Sequence, residues 1–328
     1  MSFRWLRWSY SLKFLLVVLA CFCLLCGYAV SRRRASQRQD ELLAHFRDMA
    51  CTYVKYDSSP SWLQNALGPE YCVEEIGLQI NTKSTYAPSY LDRAGIDPRS
   101  YGTIMPEDVE KLLAAYESGQ LFADLHDLEG LVTLYLNGTR IDKHWLERLV
   151  TLDEVREVAI GNTSLKEDDL QLLTQMEHLE FLALSHMSIS STGAEHLATI
   201  NTLKHLELRG YIVDVTPKQM ELHPEVDVDG LAALAHAPRL EILRLKTHPM
   251  APDKYLFGDE HIDTFLEFKT LKTLIISSHR FTADGVQRLR QGMPEVDFGH
   301  LEPYVEPTWL EIQEDDDPFG AKPPPVGR

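Results

Sequence analysis

Three consecutive stretches of 24 residues decide the fold: LVTLYLNGTRIDKHWLERLVTLDE (131–154), VREVAIGNTSLKEDDLQLLTQMEH (155–178) and LEFLALSHMSISSTGAEHLATINT (179–202). Apolar residues recur in them at a fixed shift of 24 residues. The clearest columns are Leu134, Val158, Leu182 and Leu206; Leu136, Ile160, Leu184 and Leu208; and Ile141, Leu165, Ile189 and Val213. Several columns that keep one period through four units indicate a repeat architecture.

Each unit contains two different periodicities. The first part alternates apolar and other residues, which predicts a short strand, and the later part, such as Leu165 to Met176, has apolar residues at helical spacing. Asp142, Ser190 and Thr282 are predicted to cap the returning helices. Because one unit can bury its leucines only against its neighbours, the sequence predicts an α/β solenoid with a parallel concave sheet and a helical convex side.

The pattern continues on both sides of this block if insertions are allowed. Leu240 follows Leu203 by 37 residues, so that unit carries 37 − 24 = 13 extra residues, and Leu271 follows Leu240 by 31, which leaves 7 extra. Upstream, Val73 precedes Leu131 by 58 residues, which leaves 34 extra. We predict a solenoid over residues 73–298, with seven units, a terminal half-strand at Val296 and Phe298, and insertions near 82–107, 214–226 and 251–257 along one rim.

The unit L-x-x-L-x-L-x-x-T-x-I resembles the leucine-rich repeat. Gly193 and Gly285 resemble the turn glycine that is frequent in bacterial members of that family. One column departs from the family, which often has Asn there: the residues are Asn81, Thr139, Thr163, Met187, Tyr211, His248 and His279. Met187 cannot replace the hydrogen bonds of an Asn ladder.

The amino terminus has the composition of a membrane segment. Residues 14–30 are 17 uncharged, mostly apolar residues, which is just enough to cross a bilayer; residues 1–13 form a basic flank, and Arg32 to Arg34 follow. We predict a single-pass anchor, with a slight preference for a cytoplasmic soluble domain. Two alternatives stay open: a signal peptide cleaved after Ala29, and a lipobox ending at Cys21.

Residues 31–72 are predicted to close the open end of the stack, with a helix at Asp40 to Met49, a strand at Thr52 to Tyr56 and a helix at Trp62 to Leu67. The basic-flanked anchor and these motifs resemble membrane-anchored bacterial leucine-rich-repeat proteins. Residues 299–328 are predicted to form an acidic, Pro-rich tail.

Charge limits the range of ligands. Residues 1–38 contain seven basic and no acidic side chains, so the other 290 residues hold 32 − 7 = 25 basic and 49 acidic ones, a net charge of −24. This acidity disfavours nucleic acid as a ligand. No small-molecule substrate is evident.

No common catalytic motif is present, and we predict that the chain is not an enzyme and holds no cofactor. His248 and His279 share a column and are the best metal candidates, but no third ligand is evident, so we predict no metal site. The run Asp259 to His261 is interpreted as a solvated charge run. Two cysteines outside the apolar run, Cys51 and Cys72, are too few for a disulfide framework.

Binding is easier to predict than catalysis. The residues between the strand leucines face outward on the concave sheet, and this face changes from neutral and aromatic to basic at Arg209, Arg244 and Lys246. These basic side chains are expected to accept a carboxylate or phosphate, or else to pair with insertion acids such as Glu221 and Glu225. The candidate partner-binding residues are Tyr135, Phe181, His205, Glu207, Arg209, Ile242, Arg244 and Lys246.

The sequence therefore predicts a membrane-anchored protein that binds another protein through the concave face of the solenoid. Two alternatives stay open. One is a structural envelope protein without a specific ligand, and the other is an enzyme whose activity lies in the insertion from Asn81 to Glu107.

Overall fold

The structure is a computed structural model of the full chain. It describes residues 12–49, 51–57, 74–81, 106–138, 141–161, 163–185, 187, 189–209, 211–212, 222–223, 226–246, 256–277 and 279–304. For some residues inside these helices and strands only the backbone is described.

A sheet of eight strands organises the described residues. Its order is β1-β2-β3-β4-β5-β6-β9-β11; β1 runs antiparallel to β2, and all other neighbours are parallel. The strands are β1 Cys51–Asp57, β2 Glu74–Asn81, β3 Leu131–Asn137, β4 Glu157–Gly161, β5 Phe181–Ser185, β6 His205–Arg209, β9 Ile242–Lys246 and β11 Thr273–Ile276. Four two-residue strands form separate pairs: β7 Tyr211–Ile212 with β8 Leu222–His223, and β10 Phe257–Gly258 with β12 His279–Arg280.

The strand register confirms the repeat. Leu134 pairs with Val158, which pairs with Leu182 and then Leu206, so each step is 24 residues. The two longer steps are also as predicted: 37 residues separate Leu206 from Leu243, and 31 separate Leu243 from Leu274. The apolar columns therefore predicted the correct neighbours across six strands. At the end of the stack, Asp297 bridges to Thr273 and Phe298 is buried, in agreement with the predicted half-strand.

The predicted alignment of β2 is wrong by two residues. Leu78 pairs with Leu134 and Ile80 with Leu136, a shift of 56 residues, where the sequence predicted 58. A register irregularity lies between Ile76 and Gly77. Because the error is an even number, the same residues still point inward, and Ile76, Leu78 and Ile80 are buried.

Helices follow most strands and return the chain. They are α1 Leu12–Arg47, α2 Pro106–Glu117, α3 Gln120–His126, α4 Lys143–Leu149, α5 Ser191–Ala198, α6 Val228–Leu234, α7 Ile262–Leu266 and α8 Ala283–Gly292, with 3-10 helices at Glu167–Gln175 and Asp259–His261. Two of the three predicted caps are confirmed: Asp142 accepts from His144 N at 3.0 Å, and Thr282 accepts from Gly285 N at 3.1 Å. Ser190 is the N-cap residue of α5 but makes no side-chain capping bond.

One continuous core lies between the sheet and the helices. In each of the strands β3, β4, β5, β6 and β9, the two inward side chains are almost completely buried. The exposure is at most 2% for Leu134, Leu136, Val158, Ile160, Leu182, Leu184, Leu206, Leu208, Leu243 and Leu245. Complete burial of a Leu contributes roughly 1.5–3 kcal/mol, and here each repeat covers the leucines of the next.

Carboxylates link successive repeats on the helix side. Asp259 accepts from the Thr282 backbone N–H at 2.9 Å and from its hydroxyl at 2.5 Å, and Glu167 accepts from Ser190 N at 2.9 Å. Both acids lie 23 residues before their partners. The interpretation of the run Asp259 to His261 as merely solvated is therefore wrong for Asp259 and His261, whereas Glu260 is exposed as predicted. Asp259 caps the next repeat, and the ring of His261 packs edge-on against Phe257.

Two elements of the predicted amino-terminal cap lie within the described residues, α1 and β1, and α1 differs from the prediction. The segment predicted as a separate helix at Asp40 to Met49 continues the preceding residues in the single helix α1. Leu43 and Phe46 of α1 are fully buried against the first repeat, and Met49 is also buried. Polar contacts from α1 support the docking, because Arg38 pairs with Asp127 and Gln39 donates to the Asp127 carbonyl at 3.0 Å.

Residues 14–30, predicted as a transmembrane helix, form the first part of α1. Within the part of the chain that the structure describes, no helix combines the length and the apolar character needed to cross a bilayer. The membrane helix is therefore not confirmed.

The predicted insertions lie only partly within the described residues. The first was predicted to end at residue 107, which lies at the start of α2; α2 and α3 then contribute Leu112, Leu121 and Leu125 to the core. Phe257 and Val226, both assigned to insertions by sequence, are buried: Phe257 pairs with His279, and Val226 bridges to Ile189. Other predicted features lie outside the described residues, namely the helix at Trp62 to Leu67, Thr139, His248, Cys72, Glu221, Glu225 and the tail beyond Tyr304.

Candidate functional site

The sheet presents three rows of side chains on the face opposite the leucine core, which we call the open face. The rows follow from the register: Thr133, Glu157, Phe181, His205, Ile242 and Thr273; Tyr135, Ala159, Ala183, Glu207, Arg244 and Ile275; and Asn137, Gly161, Ser185, Arg209 and Lys246. All eight residues predicted to contact a partner belong to these rows.

Seven of the eight predicted residues come together on β5, β6 and β9. Phe181 contacts His205 edge to face, with ring centroids 4.6 Å apart, and Ile242 pairs with His205 on the other side. Tyr135 does not join them, because β3 lies three strands from β6, or about 14 Å at the usual strand spacing.

The basic residues converge on one carboxylate, which we call the Glu207 cluster: Glu207, Arg209, Arg244 and Lys246. Arg209 Nε donates to Glu207 Oε1 at 2.6 Å, Lys246 Nζ lies 2.7 Å from the same oxygen, and an Arg244 nitrogen lies 3.7 Å from Oε2. The Glu207 side chain is only 3% exposed, whereas those of Arg209, Arg244 and Lys246 are 54%, 37% and 38% exposed. The acid is therefore buried beneath cations that still face solvent.

The strand geometry explains why these four side chains meet. Glu207 and Arg209 are two residues apart on β6, so they point to the same face. Arg244 pairs with Glu207 and Lys246 pairs with Arg209 across the parallel register. The signal was available in the sequence, because the 37-residue step from Leu206 to Leu243 places Glu207 directly beside Arg244.

Electrostatics keep the cluster charged. Burial alone would raise the pKa of the Glu207 carboxyl, but the hydrogen bonds from Lys246 and Arg209 outweigh it and hold this pKa below its ordinary value. Burial lowers the pKa of His205, and the positive charge of Arg244 lowers it further, so His205 is neutral at pH 7. Three cations and one carboxylate leave the cluster with a net charge of 3 − 1 = +2.

The predicted alternative, pairing of these cations with insertion acids such as Glu221 and Glu225, lies outside the described residues. Within the described residues the counter-ion is Glu207, a strand residue. Two buried polar atoms beside the carboxylate, His205 Nε2 and Arg244 Nε, have no hydrogen-bond partner. The cluster therefore keeps both excess positive charge and unused hydrogen-bonding capacity.

The described residues contain no group of three or more His, Cys, Asp or Glu side chains able to hold a metal ion. His279 Nδ1 accepts from the Phe281 backbone N–H at 3.3 Å, so this histidine bonds backbone in its turn. Cys51 is buried, its thiol donates to the Met49 carbonyl at 3.2 Å, and burial raises its pKa far above the ordinary value. That thiol is therefore unreactive.

The 24-residue register, the buried leucine columns and the parallel sheet are now established together. The fold is a leucine-rich repeat. This conclusion depends on the strand pairing and on the inward positions of the leucines within the chain itself.

Comparison with solved structures finds many similar chains, among them the following three. The chain is similar to an internalin from Listeria monocytogenes (16% identity, TM-score 0.28, covering 55% of this chain and 57% of that one). It is also similar to a leucine-rich-repeat protein from Leptospira interrogans (14% identity, TM-score 0.25, 54% and 56%) and to TLR13 in a complex with a single-stranded RNA (13% identity, TM-score 0.25, 54% and 32%).

The match spans little more than half the length of the internalin and the Leptospira protein, and about a third of TLR13. No protein-family profile and no curated protein matches this leucine-rich-repeat chain.

Proposed function

We propose that this leucine-rich-repeat protein binds another protein through the open face of its sheet, and that the Glu207 cluster receives an acidic group of that partner. One observation carries the proposal: three partly exposed cations share a single buried carboxylate, on a chain whose overall charge is −17. The resulting local charge of +2 attracts carboxylates, and guanidinium groups bind them with paired hydrogen bonds.

The residues beside the cluster support protein recognition. Phe181, His205 and Ile242 form a half-buried row next to the cations, so an apolar surface and a charged surface adjoin. Aromatic and Arg side chains are over-represented among the residues that dominate binding energy in protein interfaces. Apolar contacts from this row would add affinity to the charge recognition supplied by the cluster.

The charge distribution favours a polypeptide over a nucleic acid. A phosphate backbone would have to approach a strongly acidic chain over many residues, and the resulting repulsion would oppose it. A net charge of +2 on two strands matches one or two carboxylates of a peptide. The required ligand is therefore short and locally acidic.

A capture experiment tests the proposal. Full-length protein and the double variant Arg244→Gln with Lys246→Gln are used as baits, and captured partners are quantified by mass spectrometry. We expect at least a fivefold loss of specific partners, because the variant removes two of the three cations. Gln is chosen over Glu because it adds no repulsion with Glu207.

The matched control changes two cations that directly precede β6 and β11, at the amino-terminal ends of these strands. Lys204 and Lys272 pair with Glu180 and Glu241 at 2.9 and 2.8 Å, and the control variant is Lys204→Gln with Lys272→Gln. It should retain the partners. Equal capture by the Arg244/Lys246 variant and the unmodified protein, with both folded by circular dichroism, would refute the assignment of the site.

We also propose that residues 14–30 attach the chain to a membrane. Support comes from the 17 uncharged residues of the segment, from the arginines that flank it and from the exposure of Val17, Leu19, Phe22 and Leu24 on α1. Unmodified protein should remain in the pellet after alkaline extraction, whereas Leu19→Asp with Phe22→Asp should release it. Release of both proteins would contradict the proposal. Protease protection on intact cells then tests the predicted cytoplasmic position of the solenoid.

A further inference from the structure

The Glu207 cluster differs from every other ion pair of Arg or Lys in the described part of the chain. Elsewhere one Arg or Lys faces one carboxylate, as in Lys204 with Glu180 or Arg280 with Glu260. Only at Glu207 do three cations share one acid. The cluster therefore concentrates three cations around one acid and offers unbalanced positive charge to an acidic segment.

The described chain ends beside the turn that follows β11. Tyr304 N donates to the Phe281 carbonyl at 2.8 Å, and Arg290 donates to the Leu301 carbonyl at 2.8 Å. Phe281 follows the carboxyl end of β11, and the carboxyl ends of β6 and β9 carry Arg209 and Lys246. Since all three strands are parallel neighbours, the chain exits on the rim where the cluster opens.

The segment beyond this exit has matching chemistry and sufficient length. Residues 311–317 read EIQEDDD and carry five acids and no base. From Tyr304 to Glu314 there are 314 − 304 = 10 residues, which span up to about 33 Å when extended. The lateral distance from β11 to β6 is two strand spacings, about 10 Å. The extended connection is therefore longer than the lateral distance that the acidic run must cover to reach the cluster.

We propose that residues 311–317 dock on Arg209, Arg244 and Lys246, so that the acidic segment of the chain occupies its own binding site and must be displaced by a partner. This inference rests on the proposed function, because it assigns a regulation to the same site. Exposed ion pairs are individually weak and are screened by salt, so the contact is reversible. The short connection between Tyr304 and the acidic segment offsets this weakness, since it gives the segment an effective concentration of about 1 mM at the cluster.

The experiment uses a fluorescein-labelled peptide of residues 309–319, WLEIQEDDDPF, added to full-length protein in detergent at low ionic strength. Two proteins are compared by fluorescence anisotropy: the unmodified chain, and a tail-neutral variant in which all five acids of residues 311–317 are replaced, by Glu311→Gln, Glu314→Gln, Asp315→Asn, Asp316→Asn and Asp317→Asn. A docked tail competes with the added peptide. It weakens peptide binding by a factor of one plus the effective concentration of the tail divided by the Kd of the peptide. With about 1 mM effective concentration and a Kd of about 0.2 mM, the tail-neutral variant binds about sixfold more tightly.

Two further variants locate the binding. Arg244→Gln, added to the tail-neutral chain, should abolish peptide binding, whereas Lys204→Gln should leave it unchanged because Lys204 is already paired with Glu180. Raising the salt concentration should remove the difference between the unmodified and tail-neutral chains.

The outcomes separate the two hypotheses. Tighter binding to the tail-neutral chain that depends on Arg244 supports the inference. Equal binding to both chains that still depends on Arg244 overturns the docking of the tail and leaves acidic recognition intact. Binding that does not depend on Arg244, or no binding to either chain, overturns the inference; the capture experiment then decides separately whether the open face binds a partner.

Discussion

Replacing Glu207 by Gln is the most informative single change. Gln has nearly the same shape, so the substitution removes the negative charge with little loss of packing. Arg209 and Lys246 would lose charge-assisted contacts of 2.6 and 2.7 Å, and the three cations would repel one another without a central acid. The expected result is a less stable protein.

The size of the loss can be bounded from the burial. Breaking a buried ion pair by removing one partner costs about 3–5 kcal/mol, because the remaining charge stays desolvated. Here the remaining side chains are 37–54% exposed, so water can solvate them again and the loss is smaller. Hydrogen bonds to charged groups contribute about 1.5–3 kcal/mol, and we therefore expect a loss of about 2 kcal/mol. This corresponds to a Tm about 4–8 °C lower for a domain of this size.

Urea unfolding of the full-length protein, followed by circular dichroism, measures this difference. The matched control is Glu180→Gln, which breaks the exposed pair with Lys204 and should cost about 0–1 kcal/mol. The stabilisation by Glu207 should also depend on pH. Since the folded pKa is lowered, the contribution is complete above the unfolded pKa and is lost as the pH falls through the folded pKa. A loss below about 0.5 kcal/mol at pH 7, equal to that of the control, would refute the central role assigned to Glu207.

Three further predictions address other parts of the molecule. Burial lowers the pKa values of His205 and His279, so below about pH 6.5 these two histidines bind more protons in the unfolded chain than in the folded one. The free energy of unfolding should therefore fall as the pH drops from 7.5 to 5.5. In urea unfolding experiments, His205→Gln should make this pH dependence less steep. Asp259→Ala should lower the free energy of unfolding in urea by about 1–2 kcal/mol, because it removes the carboxylate that accepts hydrogen bonds from Thr282, the N-cap residue of α8. Glu260→Gln, which affects only an exposed ion pair, should lower it by less than about 1 kcal/mol. Equal losses for the two variants would contradict the capping role of Asp259. Phe46→Ala should cost about 3–5 kcal/mol and increase proteolysis of the first repeat, since the side chain is fully buried; an unchanged protease pattern would argue against the cap.

The sequence predicted the strand register where the apolar columns were continuous. From Leu134 to Leu274 each strand contributes the same inward pair, and insertions of 13 and 7 residues did not hide it. The register of β2 could not be predicted in the same way. Its insertion is longer than a repeat, and the irregularity at Ile76 and Gly77 changes the residue count without changing the apolar pattern.

The sequence predicted which cations of the candidate site lie next to one another, but it did not predict which carboxylate pairs with them. Outward-facing rows follow directly from strand alternation, so Arg209, Arg244 and Lys246 were placed together correctly. The choice of counter-ion depends on side-chain conformations, which periodicity does not determine. The carboxylates that link successive repeats, such as Asp259, were not predicted, for a different reason. Asp259 lies in a run of charged residues, and only its spacing of 23 residues from Thr282 indicates that it contacts the next repeat.

The buried acid explains how a basic site can exist on this acidic solenoid. Three cations on two neighbouring strands would repel one another if nothing lay between them. Glu207 holds Arg209 and Lys246 in fixed positions and still leaves a charge of +2 facing solvent. Side chains that are already ordered lose less conformational entropy when a ligand binds. The carboxylate therefore reduces the charge of the site, but it fixes the geometry by which the remaining charge can recognise an acidic group.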